Sequence, residues 1–284
     1  MNVVSLFNGM NTGRQALENV GIKVNKYYSS EIKPYAIELT QHHFPDTIQV
    51  GDVTKWKEWD IDWSSIDLIL SGSPCQDLSA AGKRAGINGK KSSLFFTFVE
   101  ILEHIKSLNP KVLFLQENVG SASKLDVGIM SRALGVYPVR INSKLVTAQL
   151  RDRYYWSNIR TKETMFDIVT DIPQPKDRKI FLQDILTSGK TIDKKAFALL
   201  ERNAEAYPKS KEAIERWVLT RSKKSFLNTI FDEEIRMINK IEMCRLQGFS
   251  DDYCDILSTK KAGSLLGDGW TLPVIEWIFS FIKI

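Results

Sequence analysis

The chain has 284 residues, with 39 Lys+Arg against 34 Asp+Glu, a net charge of +5, three cysteines and three histidines. That length can bury a substantial core and suits one large domain with a smaller one. Cys75, Cys244 and Cys254 form no CxxC pair and share no metal-ligand spacing with His42, His43 and His104, so neither a disulfide framework nor a zinc site is expected, and a reducing, cytoplasmic setting is.

Val3–Phe7 reads as a strand that leads through Asn8-Gly9-Met10-Asn11-Thr12-Gly13 into a helical pattern ending near Gly21. A strand, a glycine turn and a helix N-terminus make a place for a nucleotide-like ligand. Gly9 and Gly13 do not make a GxGxxG fingerprint, however, and a tight turn with no ligand fits them equally. The opening residues lack a basic n-region, so no signal peptide is expected. Tyr27–Glu31 reads as a second strand with an acid at its end, roughly twenty residues beyond the glycine turn, where it can accept from ribose hydroxyls. Pro34 suits the first turn of a helix running to about His43. Ile48–Val53 is expected as a third strand, with Asp52 either accepting from an adenine amine or capping the next helix.

Asp67–Leu70 reads as a buried fourth strand leading into Ser71-Gly72-Ser73-Pro74-Cys75-Gln76. Loops leaving the carboxyl ends of strands are where open α/β sheets bind ligands, and Pro74 stiffens the turn that presents Cys75. Gly82, Gly86 and Gly89, interleaved with Lys83, Arg84, Lys90 and Lys91, have the composition of a basic lid over an anionic substrate. A turn holding a small buried cysteine is the plainer alternative. Ser92 or Ser93 then caps a helix to about Lys106, and Lys111–Val119 is a fifth strand carrying Glu117 at its end. Glu31, Asp52, Cys75 and Glu117 are thus expected along one sheet edge, which favours a site over isolated helix caps. Val139–Thr147 and Arg153–Ile159 read as further strands. Between them, the Arg-x-Arg of Arg151 and Arg153 is expected to place both guanidinium groups on one face, fit for phosphate or carbonyl oxygens.

From about Lys162 the alternation of strand and helix stops. Residues 172–224 hold 13 Lys+Arg and 7 Asp+Glu, a surplus larger than that of the whole chain. That segment either faces nucleic acid or is a solvated charged surface. A smaller domain is expected over 162–253, closed by the helix and glycine stop of Glu242–Phe249. Residues 1–161 and 254–284 then form the larger domain, with the apolar tail helix returning to its core. Val274–Ile282 contains Glu276 and cannot span a bilayer, so no membrane association is expected.

In this order, the residues resemble the cytosine-5 DNA methyltransferases over nearly the whole chain. Phe7-Asn8-Gly9 is similar to the family's S-adenosylmethionine turn, Pro74-Cys75-Gln76 to its nucleophile motif and Glu117-Asn118-Val119 to its Glu-Asn-Val motif. Gln149-Leu150-Arg151-Asp152-Arg153 matches the Gln-x-Arg-x-Arg motif, and Arg245-Leu246-Gln247-Gly248-Phe249 the motif closing the recognition domain. Asn11-Thr12 stands where bacterial members usually carry Gly-Gly. Gly267-Asp268-Gly269, followed by Trp270, stands where they carry Gly-Asn-Ala or Gly-Asn-Ser. Both departures resemble the animal de novo methyltransferases.

The resemblance implies a Rossmann-like S-adenosylmethionine-dependent methyltransferase fold with a smaller target-recognition domain. It implies a cofactor held by Phe7, Asn8, Gly9, Met10, Thr12, Gly13, Glu31, Ile32, Asp52, Val53, Pro74, Asp268, Gly269 and Trp270. It also implies catalysis by Cys75, Glu117, Arg153 and Arg151 on a cytosine flipped from double-stranded DNA, with no metal and with a possible restriction endonuclease partner. A tRNA cytosine-5 methyltransferase would share the fold and nucleophile. An inactive paralogue would be expected to have lost Cys75, Glu117 or Arg153, and a dinucleotide oxidoreductase would space its glycines differently.

Overall fold

The apolar run Asn2–Leu6 forms β1, with all but its first residue buried, as befits a strand covered on both faces. The computed structural model describes residues 1–74, 94–191, 193–199, 230–231 and 235–283. Cys75, the stretch to Ser93 and all of the basic segment beyond Leu199 lie outside the described residues. The chain forms two compact units, residues 1–141, 152–174 and 275–284 in the first and 142–151 and 175–274 in the second.

The first unit contains β2 (Lys26–Ser30), β3 (Ile48–Gln49), β4 (Leu68–Ser71), β5 (Leu113–Val119), β6 (Val139–Asn142) and, after β7 (Gln149–Leu150) of the second unit, β8 (Asp152–Ser157). Seven strands make one sheet in the order β3-β2-β1-β4-β5-β8-β6. β1 pairs in parallel with β2 and β4, β4 in parallel with β5, and β5 antiparallel with β8. Helices α1 (Thr12–Asn19), α2 (Pro34–His43), α3 (Leu94–Leu108) and α4 (Lys124–Leu134) make the crossovers. The strand order reverses between β1 and β4. The carboxyl ends of those two strands are therefore the crevice where a doubly wound sheet takes its ligand. The expected α/β architecture is the observed one.

Packing explains the local choices. Gly13 lets α1 lie close on the sheet, because a Cβ there would run into the Leu70 side chain and the Tyr27 hydroxyl. Pro34 occupies the first turn of α2, where no N–H is needed. Ser123 caps α4 by accepting from Asp126 N, and Gly135 ends that helix at φ 69°. Val4, Ile69, Phe98, Leu102, Phe114 and Trp156 belong to one apolar cluster that the sheet shares with α3.

Three boundaries differ from the sequence expectation. β3 ends at Gln49, because Asp52 accepts from Thr54 N and opens a 3-10 turn over Val53–Glu58 instead of continuing the strand. β6 ends at Asn142, whose side chain accepts from Lys144 N and starts a 3-10 turn. Beyond Lys162 the chain still forms strands, β9 (Thr161–Glu163) and β10 (Ile168–Thr170), as an antiparallel pair. The tail residues 275–284 join the first unit, with Trp277 Nε1 donating to Pro173 O at 2.7 Å.

In the second unit β7 pairs in parallel with β11 (Ala196–Phe197). It also holds α5 (Leu182–Ile185), α6 (Lys240–Gln247), α7 (Thr259–Asp268) and the start of α8 (Leu272–Phe279). A capping box of Asn239 and Glu242 opens α6, and Gly248 at φ 82° closes it. Among the described residues no helix is long and apolar enough to cross a membrane.

Candidate active site

The turn leaving β1 alternates its handedness: Phe7, Gly9 and Asn11 have φ of 55°, 57° and 63°. Two of these are side-chain-bearing residues in the left-handed region, a strain that the surroundings hold in place. Asn8 anchors the turn inward. Its N–H donates to Ser30 O at 3.1 Å, its Nδ2 to Thr40 Oγ1 at 3.3 Å, and its Oδ1 accepts from the Tyr27 hydroxyl at 3.2 Å. Burial pushes the Tyr27 hydroxyl far up its scale, so it remains a donor.

Glu31, one residue past β2, accepts three backbone N–H groups: Gly9 on Oε2 at 2.8 Å, and Ile32 and Lys33 on Oε1 at 2.7 and 2.9 Å. The carboxylate thus ties the glycine turn to the end of the next strand. Ile32 beside it is 70% exposed, an apolar surface next to a fixed acid. Asp52 is exposed and uses Oδ1 for Thr54 N and Oγ1, so the capping role is present there. Among the other residues expected at the cofactor, Met10, Thr12, Gly13 and Val53 are buried, whereas Phe7 and Gly9 are half-buried. A left-handed glycine turn, a carboxylate at the following strand end and an exposed aliphatic neighbour suit a nucleotide-like ligand.

At the other side of the switch point, β4 ends in Ser71 and runs through Gly72 and Ser73 to Pro74, the last described residue before Cys75. Glu117 lies inside β5 rather than at its end, since the strand continues to Val119. Opposite it on antiparallel β8 stands Tyr155, and Arg153 is two residues along on the same face. That diagonal brings Arg153 Nε to Glu117 Oε1 at 2.9 Å, with the side chains 14% and 11% exposed. Asn118 Oδ1 accepts from Val119 N at 2.8 Å, and Gly120 N donates to Asp152 O at 2.9 Å. A Cβ on Gly120 would stand 2.8 Å from that same Asp152 oxygen, so only glycine lets the two strand ends meet here.

The Arg-x-Arg expectation needs a correction. β8 begins at Asp152, so Arg151 does not share an extended run with Arg153. Arg151 is 2% exposed and donates to Gly267 O at 2.9 Å, Gly269 O at 2.8 Å and Leu199 O at 3.2 Å. These include carbonyls at the C-terminal end of α7, where a cation supplies missing donors and complements the helix dipole. Buried in this way, Arg151 is a cap of the second unit and not a ligand for phosphate.

Sequence reasoning missed the partners of that cap. Gln247 is fully buried; its Nε2 donates to Leu266 O, and its Oε1 accepts from Thr271 Oγ1 at 2.9 Å. Ser143 Oγ donates in turn to Thr271 Oγ1 at 2.8 Å. The signal was Gln247 itself, a polar residue between Leu246 and the Gly248 stop that ends the helix. Glu242 is equally buried and accepts from both Arg236 nitrogens at 2.8 and 2.9 Å, from Thr187 N and Oγ1, and from Asn239 N. Lys195, expected on a nucleic-acid face, donates instead to Lys144 O at 2.7 Å, Thr147 O at 3.0 Å and Ile180 O at 2.5 Å. Cys244 and Cys254 are both fully buried. Among the described residues no cluster of His, Cys, Asp and Glu could hold a metal ion.

A model of the C-5 cytosine-specific DNA methylase family matches residues 1–283. The chain is 30% identical over 263 residues to the orphan methyltransferase M.SPRI of Bacillus phage SPR, a match covering 87% of this chain and 56% of that protein. To the type II methyltransferase M.NlaIV of Neisseria lactamica it is 38% identical over 120 residues, 41% of this chain and 27% of that protein. To the type II methyltransferase M1.ScrFI of Lactococcus lactis subsp. cremoris it is 26% identical over 307 residues, 97% and 76% of the two chains. The chain therefore spans little more than half the length of M.SPRI and about a quarter of M.NlaIV. Among solved structures, the fold resembles the Entamoeba histolytica methyltransferase EhMeth (TM-score 0.67, 15% identity, 100% and 99% of the chains). It also resembles the S. pombe Dnmt2 methyltransferase (TM-score 0.63, 15% identity, 99% and 98%).

Proposed function

The chain belongs to the C-5 cytosine-specific DNA methylase family, and from that premise we propose that it methylates carbon 5 of cytosine in duplex DNA, with S-adenosylmethionine as cofactor. The Glu117–Arg153 pair carries this reading: a fixed carboxylate and cation, mostly withdrawn from water, with Glu117 on the strand next to the one that leads to Cys75 and Arg153 on the strand beyond it.

Carbon 5 of cytosine is a poor nucleophile until something adds to carbon 6. The Cys75 thiolate adds there, forming a C–S bond and moving electron density to carbon 5. Glu117 shares the proton that accumulates at N3, and Arg153 donates to O2, so both oppose the charge developing on the ring. Cys244 and Cys254 are fully buried, which leaves this role to Cys75. When bound, S-adenosylmethionine supplies an electrophilic methyl group. Glu31, Ile32 and Asp52 would hold its adenosine part, and the turn of Phe7, Asn8 and Gly9, with Met10, Thr12 and Gly13 behind it, its charged tail. Val53, Pro74, Asp268, Gly269 and Trp270 complete the set by resemblance. Inside a duplex the target base is stacked, so it must flip out to meet Cys75.

Residues 162–253 serve as the target-recognition domain on this reading, and their basic excess meets phosphates. The type II names of M.NlaIV and M1.ScrFI support a restriction endonuclease partner, whereas the orphan name of M.SPRI supports a solitary enzyme. Transfer of labelled methyl to duplex DNA, with bisulfite sequencing of DNA from expressing cells, tests the proposal. Methylation of tRNA with none of duplex DNA would replace it with the tRNA reading.

A further inference from the structure

Gln116 precedes Glu117 on β5, so the strand's alternation turns its side chain to the opposite face of the sheet. It is paired with Ser71 on the parallel strand β4, and it is fully buried at a position where covered strands ordinarily carry an aliphatic residue. Its Nε2 donates to Ser73 Oγ at 3.0 Å and to Glu117 O at 2.7 Å. The carbonyl can only accept, which fixes the orientation of the amide and makes Ser73 Oγ an acceptor. The amide oxygen Oε1 has no hydrogen-bond partner among the described residues. A buried glutamine with one end unsatisfied is costly for the fold, so its retained hydrogen bond to Ser73 calls for an explanation.

Ser73 is itself 4% exposed and stands directly before Pro74. Proline has no N–H, so the turn cannot be anchored by a backbone donor at that residue, and a side-chain bond at Ser73 is the anchor available. We propose that Gln116 and Ser73 are positioning residues for the nucleophile: through Ser73 Oγ, Gln116 fixes the turn of Gly72–Pro74 from which Cys75 follows in the sequence. One side of β5 thus presents Glu117 to the base while the other side holds the nucleophile turn to the same strand. The inference rests on the reading of Cys75 as the nucleophile.

The test uses the full chain and the variants Ser73→Ala, Gln116→Met and their combination. Methyl transfer is followed in a single turnover with saturating duplex DNA and cofactor, alongside formation of the covalent adduct on 5-fluorocytosine DNA, both dissociation constants and the melting temperature. Each single variant should slow transfer and adduct formation about tenfold, as expected if the loss of one positioning hydrogen bond raises the barrier by about 1.4 kcal/mol. Affinities for DNA and cofactor should be unchanged. The combined variant should be no slower than either single one, because all three lack the same bond. Wild-type rates in a folded Ser73→Ala protein, or losses that multiply in the combination, would overturn the proposal. If Gln116→Met does not fold, Ser73→Ala alone decides, since it removes only the acceptor. An absent adduct in the unaltered protein would instead remove the nucleophile reading, and this inference with it.

Discussion

Arg153 reaches Glu117 diagonally across the antiparallel β5–β8 pair, Nε to Oε1 at 2.9 Å, and both side chains are mostly shielded from solvent. The geometry follows from register alone: Tyr155 faces Glu117, and two residues along β8 the alternation returns to the same face. On the proposed function this carboxylate and guanidinium meet the N3 and O2 edge of the target cytosine. Arg153→Ala should therefore lower kcat by about 10²- to 10³-fold, the loss typical of a preorganised donor. Binding of S-adenosylmethionine should be unaffected. Steady-state kinetics with a kcat within threefold of wild type would remove Arg153 from the reacting centre.

Glu31 holds the glycine turn through three backbone N–H groups and is the proposed acceptor for the ribose hydroxyls. Glu31→Ala should weaken cofactor binding by roughly 1.5–3 kcal/mol, the range for hydrogen bonds to a charged group, while DNA affinity changes little. Titration calorimetry reads both, and an unchanged cofactor affinity would place the ligand elsewhere.

Glu242 supplies a pH dependence within the second unit. Burial alone would raise its carboxyl, but the Arg236 fork and the donors on Asn239 and Thr187 outweigh it and hold the pKa below the ordinary range. A depressed folded-state pKa means that the stabilisation is complete above the unfolded value, about 4.3, and is lost as pH falls through the folded one. Glu242→Gln should cost about 1.5–3 kcal/mol at neutral pH and should flatten the fall in stability below about pH 4.3. Urea unfolding across that window measures it, and identical slopes in the two proteins would contradict the assignment.

Lys194 and Lys195 are adjacent in sequence but differ in role. Lys194 is exposed, whereas the Lys195 ammonium is taken up by three carbonyls, and burial lowers its pKa. If the basic segment meets phosphates, Lys194→Gln should reduce the log–log salt slope of DNA binding by about one unit. Lys195→Gln should leave the slope alone and lower the melting temperature instead. A slope change confined to Lys195→Gln would reverse these roles.

Much of the first unit was legible because parallel strands buried on both faces read as apolar runs, and the acids and glycines fall where those runs stop. Val3–Phe7, Tyr27–Glu31 and Asp67–Leu70 anticipate β1, β2 and β4 to within a residue or two. Short-range capping blurred the rest: Asp52 and Asn142 turn their own side chains to nearby N–H groups and end strands that the apolar pattern would have extended. The pairing of Arg153 with Glu117 depends on antiparallel register, which no local pattern encodes. The capture of Arg151 by carbonyls of residues 267 and 269 is longer-range still, more than a hundred residues away along the chain. Gln116 was passed over because it opens the polar run Gln116-Glu117-Asn118, in which the motif reading settles on Glu117 and Asn118.

The most direct test of the account is covalent trapping. On the proposed mechanism Cys75 is still bonded to carbon 6 after methyl transfer, and release requires loss of the proton from carbon 5 followed by elimination of the thiolate. Duplex DNA with 5-fluorocytosine at the target has no such proton, so the reaction should transfer its methyl and stall with protein and DNA joined. The adduct should require S-adenosylmethionine, survive denaturing electrophoresis, disappear in Cys75→Ser and persist in Cys244→Ser and Cys254→Ser. An adduct formed equally well by Cys75→Ser would contradict the mechanism at its first step.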